Sequence, residues 1–258
     1  MQVWMIIASS LLAYGIVFSF NTVAVPFFME RDYFKYPGPE CHLAHLNQCQ
    51  SNTNVPVNCP DVSGYAPPLP VNVSVFDVDC ELDEYNSVGS CTYIYCDRKN
   101  KANDQATLTM SIPNIVATAA APFVGSFLKR FGNRAKFMLI CPVVLLVTHV
   151  LLFSIRGFAE VLLVLQGIAF CIFTGAISPA ISLSVAPKYN GLAFGLLSCS
   201  INFAFTFFPL AVTGMYEIHD SKYEQINILY IPAIGIFLFS TVYLNYLDEK
   251  EGRVLNNP

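Results

Sequence analysis

The sequence predicts an all-α membrane protein with six transmembrane helices. Of the 258 residues, 54% are apolar and only 12% are charged, a balance typical of a chain embedded in lipid rather than of a soluble domain. None of the six long apolar runs has Lys, Arg or Asp in its middle. A hydrocarbon core of about 30 Å needs about 20 helical residues to cross it. The runs are 4–25, 107–128, 137–155, 159–186, 190–216 and 226–246.

The turn between the second and third runs is strongly basic and sets the predicted orientation. Its cations are Lys129, Arg130, Arg134 and Lys136. Short loops rich in Lys and Arg stay on the cytoplasmic side, so counting spans outward puts both chain ends in the cytoplasm. The predicted division is a first transmembrane helix over 1–30, a lumenal or extracellular loop over 31–106, five helices over 107–246 and a cytoplasmic tail over 247–258.

The loop 31–106 is acidic and rich in cysteine. It holds ten acids and five bases, a net charge of −5, and nothing in the chain indicates nucleic-acid binding. Six of the nine cysteines lie in it, an even number on the oxidising side, so we predict three disulfides without assigning their pairing. A metal site is the weaker alternative, because no Cys-x-x-Cys pair occurs. The cysteines are Cys41, Cys49, Cys59, Cys80, Cys91 and Cys96.

Local patterns in the same loop predict one modification and two short strands. The sequon Asn72-Val-Ser74 predicts glycosylation of Asn72 on the lumenal side. Residues 71–78 and 92–95 have the β-branched and aromatic composition of strands. The loop is therefore expected to be a small, mostly irregular cap tied by disulfides.

The first run has a face of polar and aromatic residues. It lacks the basic start and the small-residue cleavage site of a signal peptide, so it is predicted to remain as a span. Ser10, Tyr14, Phe18 and Asn21 follow one another at helical spacing and share one face. Helix packing and a solute pathway explain this face about equally well. Because Met1 stands directly before the helix, the chain is expected to be part of a longer protein.

Later spans carry polar groups that lipid does not favour. Asn114 lies near one end of the second run, Ser178 lies among small residues of the fourth, and Asn202 lies in the middle of the fifth. An amide at that depth is costly unless it has a partner or a water-filled cavity. His149 is the only histidine within a span, and we predict a neutral side chain hydrogen-bonded to a neighbour rather than a proton relay.

Small residues at intervals of four mark two helix faces. They are Ala117, Ala121 and Gly125 in the second run, and Gly191 and Gly195 in the fifth. Such faces allow two helices to approach closely, so tight packing is expected there. By contrast, 137–155 and 226–246 are apolar on nearly every side, as is typical of outer helices that face lipid.

The basic turn resembles a loop signature of the major facilitator superfamily. The stretch Gly125-Ser-Phe-Leu-Lys-Arg-Phe-Gly-Asn-Arg-Ala-Lys136 is similar to a Gly, an acid four residues later, and then Gly-x-Arg-x-x-Arg/Lys. Gly125, Gly132 and Arg134 match this signature, and Lys136 lies close to its last basic position. Lys129 stands where the family has the acid. The resemblance therefore implies a loosened cytoplasmic clamp, because a cation cannot stabilise a helix N-terminus.

Two longer stretches resemble the carboxyl-terminal half of one branch of this superfamily, the lysosomal dipeptide transporters. Residues 12–35 are similar to the seventh helix of that branch, and residues 166–204 are similar to its tenth and eleventh helices. The loop 31–106 is then an insertion between the first two helices. The resemblance implies one half of a major facilitator fold, in which the first, second, fourth and fifth spans line a central cavity.

The same resemblance implies transport of a small polar solute, a dipeptide or amino-acid derivative, by alternating access. The side chains expected to meet the solute are Tyr14, Phe18, Asn21, Asn114, Ser178 and Asn202. No cofactor is expected. The implied partners are the lipid bilayer, the solute, and either a missing amino-terminal half or a second half-size subunit. The implied location is the lysosome or another endomembrane, with the plasma membrane as the alternative.

The sequence is also compatible with one other class of protein and argues against a third. A membrane-anchored interaction or accessory protein that presents the disulfide-rich loop is the alternative function. An enzyme is not expected, because the spans contain no His-Glu-x-x-His motif, no paired Asp, and no Ser/Lys or Ser/His pair that would supply a nucleophile and a base.

Overall fold

The structure is a computed structural model that describes residues 1–35, 64–67, 69, 77–88, 90, 92–155, 157–218 and 223–256. The chain divides into two compact units. Met1–Val23 and Thr109–Pro258 form the first, which we call the membrane unit, and Ala24–Leu108 forms the second, which we call the loop unit.

Six helices are long and apolar enough to cross a bilayer, which confirms the predicted all-α membrane fold. They are α1 (Gln2–Phe28), α2 (Tyr93–Phe131), α3 (Arg134–Ser154), α4 (Ala159–Ser184), α5 (Asn190–Ile218) and α6 (Asn227–Lys250). A helix forms all its backbone hydrogen bonds within one segment, as the hydrocarbon requires. Every one of the six contains proline, which removes a backbone donor and favours bends.

The second span extends well beyond its apolar run, because α2 begins at Tyr93 rather than at 107. Residues 97–106 are polar but contain neither Gly nor Pro, and Lys101 pairs with Asp97 one turn earlier at 2.7 Å. Both features favour continuation of the helix. The strand predicted at 92–95 is therefore wrong, since its residues enter the first turn of α2. Most of the strand predicted at 71–78 lies outside the described residues.

α1 contacts four other helices of the membrane unit. The contacts include Ser9 with Ser240 of α6 (2.8 Å between the Oγ atoms), Tyr14 with Phe170 of α4 (5.3 Å between ring centroids) and Phe20 with His149 of α3 (5.1 Å). Gly15 lies directly against the ring of Phe208 of α5, where any Cβ would overlap the ring. Only glycine allows α5 to approach α1 so closely at this point.

α6 has a polar inner face, so the expectation that the sixth run is apolar on nearly every side is wrong on that face. Asn227 and Ser240 are buried. Asn227 Oδ1 lies 2.9 Å from Nδ1 of His149 in α3, and Asn245 Nδ2 donates to the carbonyl oxygen of Ala135 in α3 at 2.8 Å. Polar groups in hydrocarbon need partners within the protein. These contacts therefore hold α6 against α1 and α3.

α2 and α5 are the least buried helices of the chain. Only 17% of the apolar window of α2 and 22% of that of α5 is buried, against 56% for α1 and 50% for α4. An added Cβ at Gly125, Gly191 or Gly195 would meet no atom within 4 Å. The close packing expected at these glycines is thus not found among the described residues. α2 instead packs its Pro113 against Gly167 of α4.

The basic turn reverses the chain within two residues. α2 ends at Phe131, and α3 begins at Arg134. Between them, Gly132 and Asn133 adopt positive φ values of 61° and 46°, which Gly tolerates freely and Asn more readily than most residues. The Gly132 N–H donates to the Leu128 carbonyl oxygen at 3.1 Å, as at many helix C-termini. We call this end of the membrane unit the basic end.

Residues 251–256, which we call the C-terminal strap, fold back onto the start of α3. The Arg134 N–H donates to the carbonyl oxygen of Leu255 at 3.1 Å. The Lys136 N–H donates to Oδ1 of Asn256 at 3.2 Å. The first amides of a helix have no acceptor within that helix. The strap supplies acceptors for two of them.

A buried carboxylate holds the strap in place. The tail predicted over 247–258 begins as the last turn of α6, and Asp248 in that turn is fully buried. Its Oδ1 accepts from the Leu255 N–H at 2.7 Å and from Gln2 Nε2 at 3.4 Å. The Leu255 side chain is also fully buried. Polar and apolar contacts together therefore join the strap to the ends of α6 and α1.

The loop unit has a small core of its own. β1 (Phe34–Lys35) pairs in parallel with β2 (Gly64–Tyr65), and a single helical turn, Asp83–Asn86, precedes the start of α2. The ring of Phe34 packs edge-on against Tyr95, with 5.2 Å between centroids. These elements surround the buried residues of the unit, which are Phe34, Ala66, Val78, Cys80, Tyr95, Cys96 and Ala102.

One disulfide of the predicted set is present, between Cys80 and Cys96. It ties the segment before the helical turn to the first turn of α2. Four further predicted disulfide cysteines, Cys41, Cys49, Cys59 and Cys91, lie outside the described residues, as does the predicted glycosylation site Asn72.

Candidate functional site

Four aromatic rings from three helices meet in the membrane unit. Tyr14 and Phe18 of α1, Phe170 of α4 and Phe205 of α5 form what we call the aromatic cluster. The Tyr14 ring lies 5.9 Å from Phe18, 5.3 Å from Phe170 and 6.2 Å from Phe205. Phe18 lies 6.1 Å from Phe170 and 4.8 Å from Phe205. All five separations fall in the range in which aromatic rings attract each other.

Helical spacing accounts for the α1 side of the aromatic cluster. Tyr14 and Phe18 are four residues apart, so their side chains lie on one face, and their rings are stacked with an interplanar angle of 14°. Phe170 and Phe205 were not predicted from the sequence. Each lies in an apolar helix with many other apolar residues, so nothing in its local pattern distinguishes it. Their place in the cluster becomes apparent only from the packing of α4 and α5 against α1.

Two of the predicted amides lie one helical turn from the rings of the aromatic cluster. Asn21 follows Phe18 by three residues in α1, and its Oδ1 is buried without a hydrogen-bond partner in the described part of the chain. Asn202 precedes Phe205 by three residues in α5 and is exposed, and its Nδ2 donates to the Ser198 carbonyl oxygen at 2.9 Å. The Asn21 oxygen and the exposed Asn202 side chain could therefore form further hydrogen bonds on either side of the aromatic cluster.

The two other predicted polar residues lie on different helices. Asn114 is exposed on α2, next to the proline that packs against α4. Ser178 is exposed on α4, eight residues after Phe170 in the chain. The structure therefore brings Tyr14 and Phe18 together, with Asn21 and Asn202 nearby, and leaves Asn114 and Ser178 as separate polar positions.

His149 lies in a buried contact apart from the aromatic cluster. Its Nδ1 is 2.9 Å from Oδ1 of Asn227, and its ring centroid is 5.1 Å from both Phe20 and Tyr230. The prediction of a hydrogen-bonded histidine is confirmed. Since an amide oxygen can only accept, this contact requires a proton on Nδ1. No group of three or more His, Cys, Asp or Glu residues that could hold a metal is found within the described ranges.

The residues of the predicted loop motif lie at the basic end. Lys129, Arg130 and Lys136 are exposed, Arg134 is half-buried, and Gly132 is buried in the turn. The Arg130 guanidinium lies 5.9 Å from the ring centroid of Phe131. Gly125 lies two turns earlier in α2. The backbone N–H groups of Arg134 and Lys136 in this motif make the contacts with the C-terminal strap described above.

Labelling of Cys199 can measure whether the face of α5 that carries it borders water. It is the exposed free cysteine next to Ser198, whereas Cys141 and Cys171 are buried. We expect a small, charged methanethiosulfonate reagent to label Cys199 in intact membranes, because a thiolate forms in water and not in lipid. Cys199→Ser should abolish the labelling. Labelling that occurs only after denaturation would show that this face borders lipid or another helix.

These features together define a multi-pass integral membrane protein whose helices bring an aromatic and amide-bearing face together. Residues 87–258 match the Major Facilitator Superfamily. The chain belongs to the major facilitator superfamily, and it has the fold of one six-helix half of a transporter of that kind. Comparison with curated proteins and with solved structures finds no match to this chain.

Proposed function

We propose that the chain is the carboxyl-terminal half of a secondary transporter that moves a small polar solute, a dipeptide or amino-acid derivative, by alternating access. The aromatic cluster with its flanking amides is the observation that carries this proposal. Solute sites are mostly apolar and aromatic, with a few polar groups that fix orientation. Tyr14, Phe18, Asn21 and Asn202 provide such a combination, and Asn114 and Ser178 extend the proposed contact surface along α2 and α4.

The exposed helices support a second half as the partner. At Gly125 in α2 and at Gly191 and Gly195 in α5, an added Cβ would meet no atom of the described chain within 4 Å, and such small-residue positions favour close helix contact. A missing amino-terminal half, or a second half-size subunit, would cover them. Solute would then be held between the two halves near the midplane of the bilayer.

The proposed setting follows from the resemblance to lysosomal dipeptide transporters and from the charge pattern. The basic turn lies in the cytoplasm, together with the tail 247–258. The loop 31–106 lies in the lumen or outside the cell and carries three disulfides and a glycan on Asn72. The membrane is that of the lysosome or another endomembrane. Lys129, in place of an acid, weakens the cytoplasmic clamp of the family because its charge has the wrong sign.

Uptake by liposomes that contain the full chain tests the proposal. We expect entry of a radiolabelled neutral dipeptide, and at least a tenfold loss of the rate with Asn202→Ala, because the solute then loses a hydrogen-bonding group in a site that excludes water. Phe239→Ala, which removes an exposed ring on α6, is the matched control and should retain uptake. No uptake of any dipeptide, with the chain alone or with a coexpressed amino-terminal half, would reject the proposal.

A membrane-anchored accessory protein is the second candidate, and the separate core of the loop unit favours it. Such a protein would bind a partner through that unit and transport nothing. This function would be supported if the full chain in nanodiscs captures one defined partner. The capture should be lost in Cys80→Ser, which removes the Cys80–Cys96 disulfide. Dipeptide uptake in the same preparation would argue against it.

A further inference from the structure

The rings of the aromatic cluster are only partly covered. Phe18 is 40% exposed and Phe205 is 38% exposed, while Tyr14 and Phe170 are half-buried. Core aromatic pairs of the same unit are sealed: Phe173 packs edge-on against Phe237 at 5.2 Å, and both are fully buried. The cluster therefore differs from core packing because its rings present free surface.

The rings also lie near the middle of their helices. At 1.5 Å per residue, Tyr14 is about 18 Å from the start of α1 and Phe205 is about 22 Å from the start of α5, while Phe170 is about 21 Å from the end of α4, which runs in the opposite direction. These helices have 27, 26 and 29 residues. Three helices thus place aromatic surface at a similar depth, far from either end.

The surroundings of the aromatic cluster are polar but uncharged. The middles of the six apolar runs contain no Lys, Arg or Asp. The buried Oδ1 of Asn21 has no partner among the described residues, and Asn202 is exposed with one bond to its own helix. A face that packed only against lipid would gain nothing from such amides. Together, the rings and amides suit a ligand that has an apolar part and a peptide or amide part.

We infer that the aromatic cluster is the side-chain pocket of the solute site and that it selects solutes with a large apolar side chain, aromatic ones first. This inference rests on the proposed function. Ring faces and edges attract another aromatic ring, and this half has no Lys, Arg or Asp in the middle of its spans that would attract a charged side chain. Asn21 and Asn202 then hold the amide part of the solute at the two edges of the cluster.

A competition series tests the inference. The full chain in liposomes takes up labelled Ala-Ala in the presence of unlabelled Ala-Phe, Ala-Leu, Ala-Ser or Ala-Gly. These competitors share backbone and charge and differ only in one side chain. We expect Ala-Phe to inhibit at least tenfold more strongly than Ala-Gly, which corresponds to about 1.4 kcal/mol. Ala-Leu should fall between them, and Ala-Ser should resemble Ala-Gly.

Variants assign the preference to the rings. Phe18→Ala and Phe205→Ala should bring the Ala-Phe to Ala-Gly ratio close to one, whatever rate of Ala-Ala uptake the variants retain. Phe205→Leu should retain part of the preference for Ala-Leu. Phe153→Ala, which removes a ring that is 58% exposed on α3, is the matched control and should leave the ratio unchanged. Ligand-induced shifts of the unfolding midpoint in detergent give the same ranking without a need for transport.

The possible results test the aromatic side-chain pocket separately from the proposed transport function. Equal inhibition by all four dipeptides, with uptake intact, overturns the aromatic side-chain pocket and leaves the transport proposal standing. Unchanged ratios in Phe18→Ala and Phe205→Ala also overturn it. Loss of assembly with a second half in these variants, without any change in side-chain preference, assigns the rings to helix packing instead. No uptake and no ligand-induced stabilisation reject both.

Discussion

Gly167→Ala is expected to destabilise the membrane unit strongly. Among the described glycines, Gly167 is the one at which an added methyl group would overlap the backbone of another helix. A Cβ at this position would lie 2.6 Å from the carbonyl oxygen and 2.9 Å from the Cα of Pro113. Both atoms belong to the backbone of α2, which cannot rotate away as a side chain can. α2 must therefore move away from α4, and overpacking of this kind costs about 1–3 kcal/mol or more.

The unfolding midpoint of the purified protein in detergent measures this effect. We expect a fall of several degrees for Gly167→Ala. Gly235→Ala in α6 is the matched control, because its Cβ would meet no atom within 4 Å, and alanine is the better helix former. Its midpoint should stay constant or rise. Equal midpoints for the two variants would mean that α2 does not approach α4 as the structure describes.

Leu255→Ala is expected to release the C-terminal strap. The Leu255 side chain is fully buried although it lies only a few residues beyond the last helix. Truncation of a buried leucine costs about 2–5 kcal/mol, which is comparable to the whole contribution of the strap's hydrogen bonds at about 1 kcal/mol each. Release also leaves Asp248 buried without the Leu255 N–H, and it leaves the first amides of α3 without the strap acceptors.

Carboxypeptidase digestion followed by mass spectrometry measures strap release. The native chain should resist trimming beyond residue 255, whereas Leu255→Ala should be trimmed back to the end of α6. The matched control is Val254→Ala, since Val254 is 41% exposed and its loss should change little. Rapid trimming of the native chain would show that the strap does not stay bound to α3.

The six spans could be predicted because each needs only length and apolar composition, which the sequence displays directly. The start of α2 could not, because residues 97–106 are polar and become helical through the Asp97–Lys101 pair and through continuity with the span. The C-terminal strap has no repeating pattern. Its position depends on Asp248 and on the start of α3, more than a hundred residues away in the chain.

The candidate site likewise contains residues that could be predicted from the sequence and residues that could not. Tyr14 and Phe18 could be predicted because an aromatic and polar face on one helix stands out at helical spacing. Phe170 and Phe205 could not, because apolar residues in an apolar helix give no contrast with their neighbours. Asn114 and Ser178 are predicted from polarity alone, and polarity does not say which helix lies opposite. The uses of Asn21 and Asn202 remain predictions for the uptake measurements.

The polar contacts of α6 bear on how the protein is made. Chains are synthesised from the amino terminus, so α1 and α3 enter the membrane before their partners in α6 exist. His149 is separated from Asn227 by 78 residues, Ser9 from Ser240 by 231, and Gln2 from Asp248 by 246. Hydrocarbon offers no substitute acceptor. Until the last span arrives, His149 therefore lacks its amide partner, and Ser9 can donate only within its own helix, as Ser10 does to the Ile6 carbonyl oxygen.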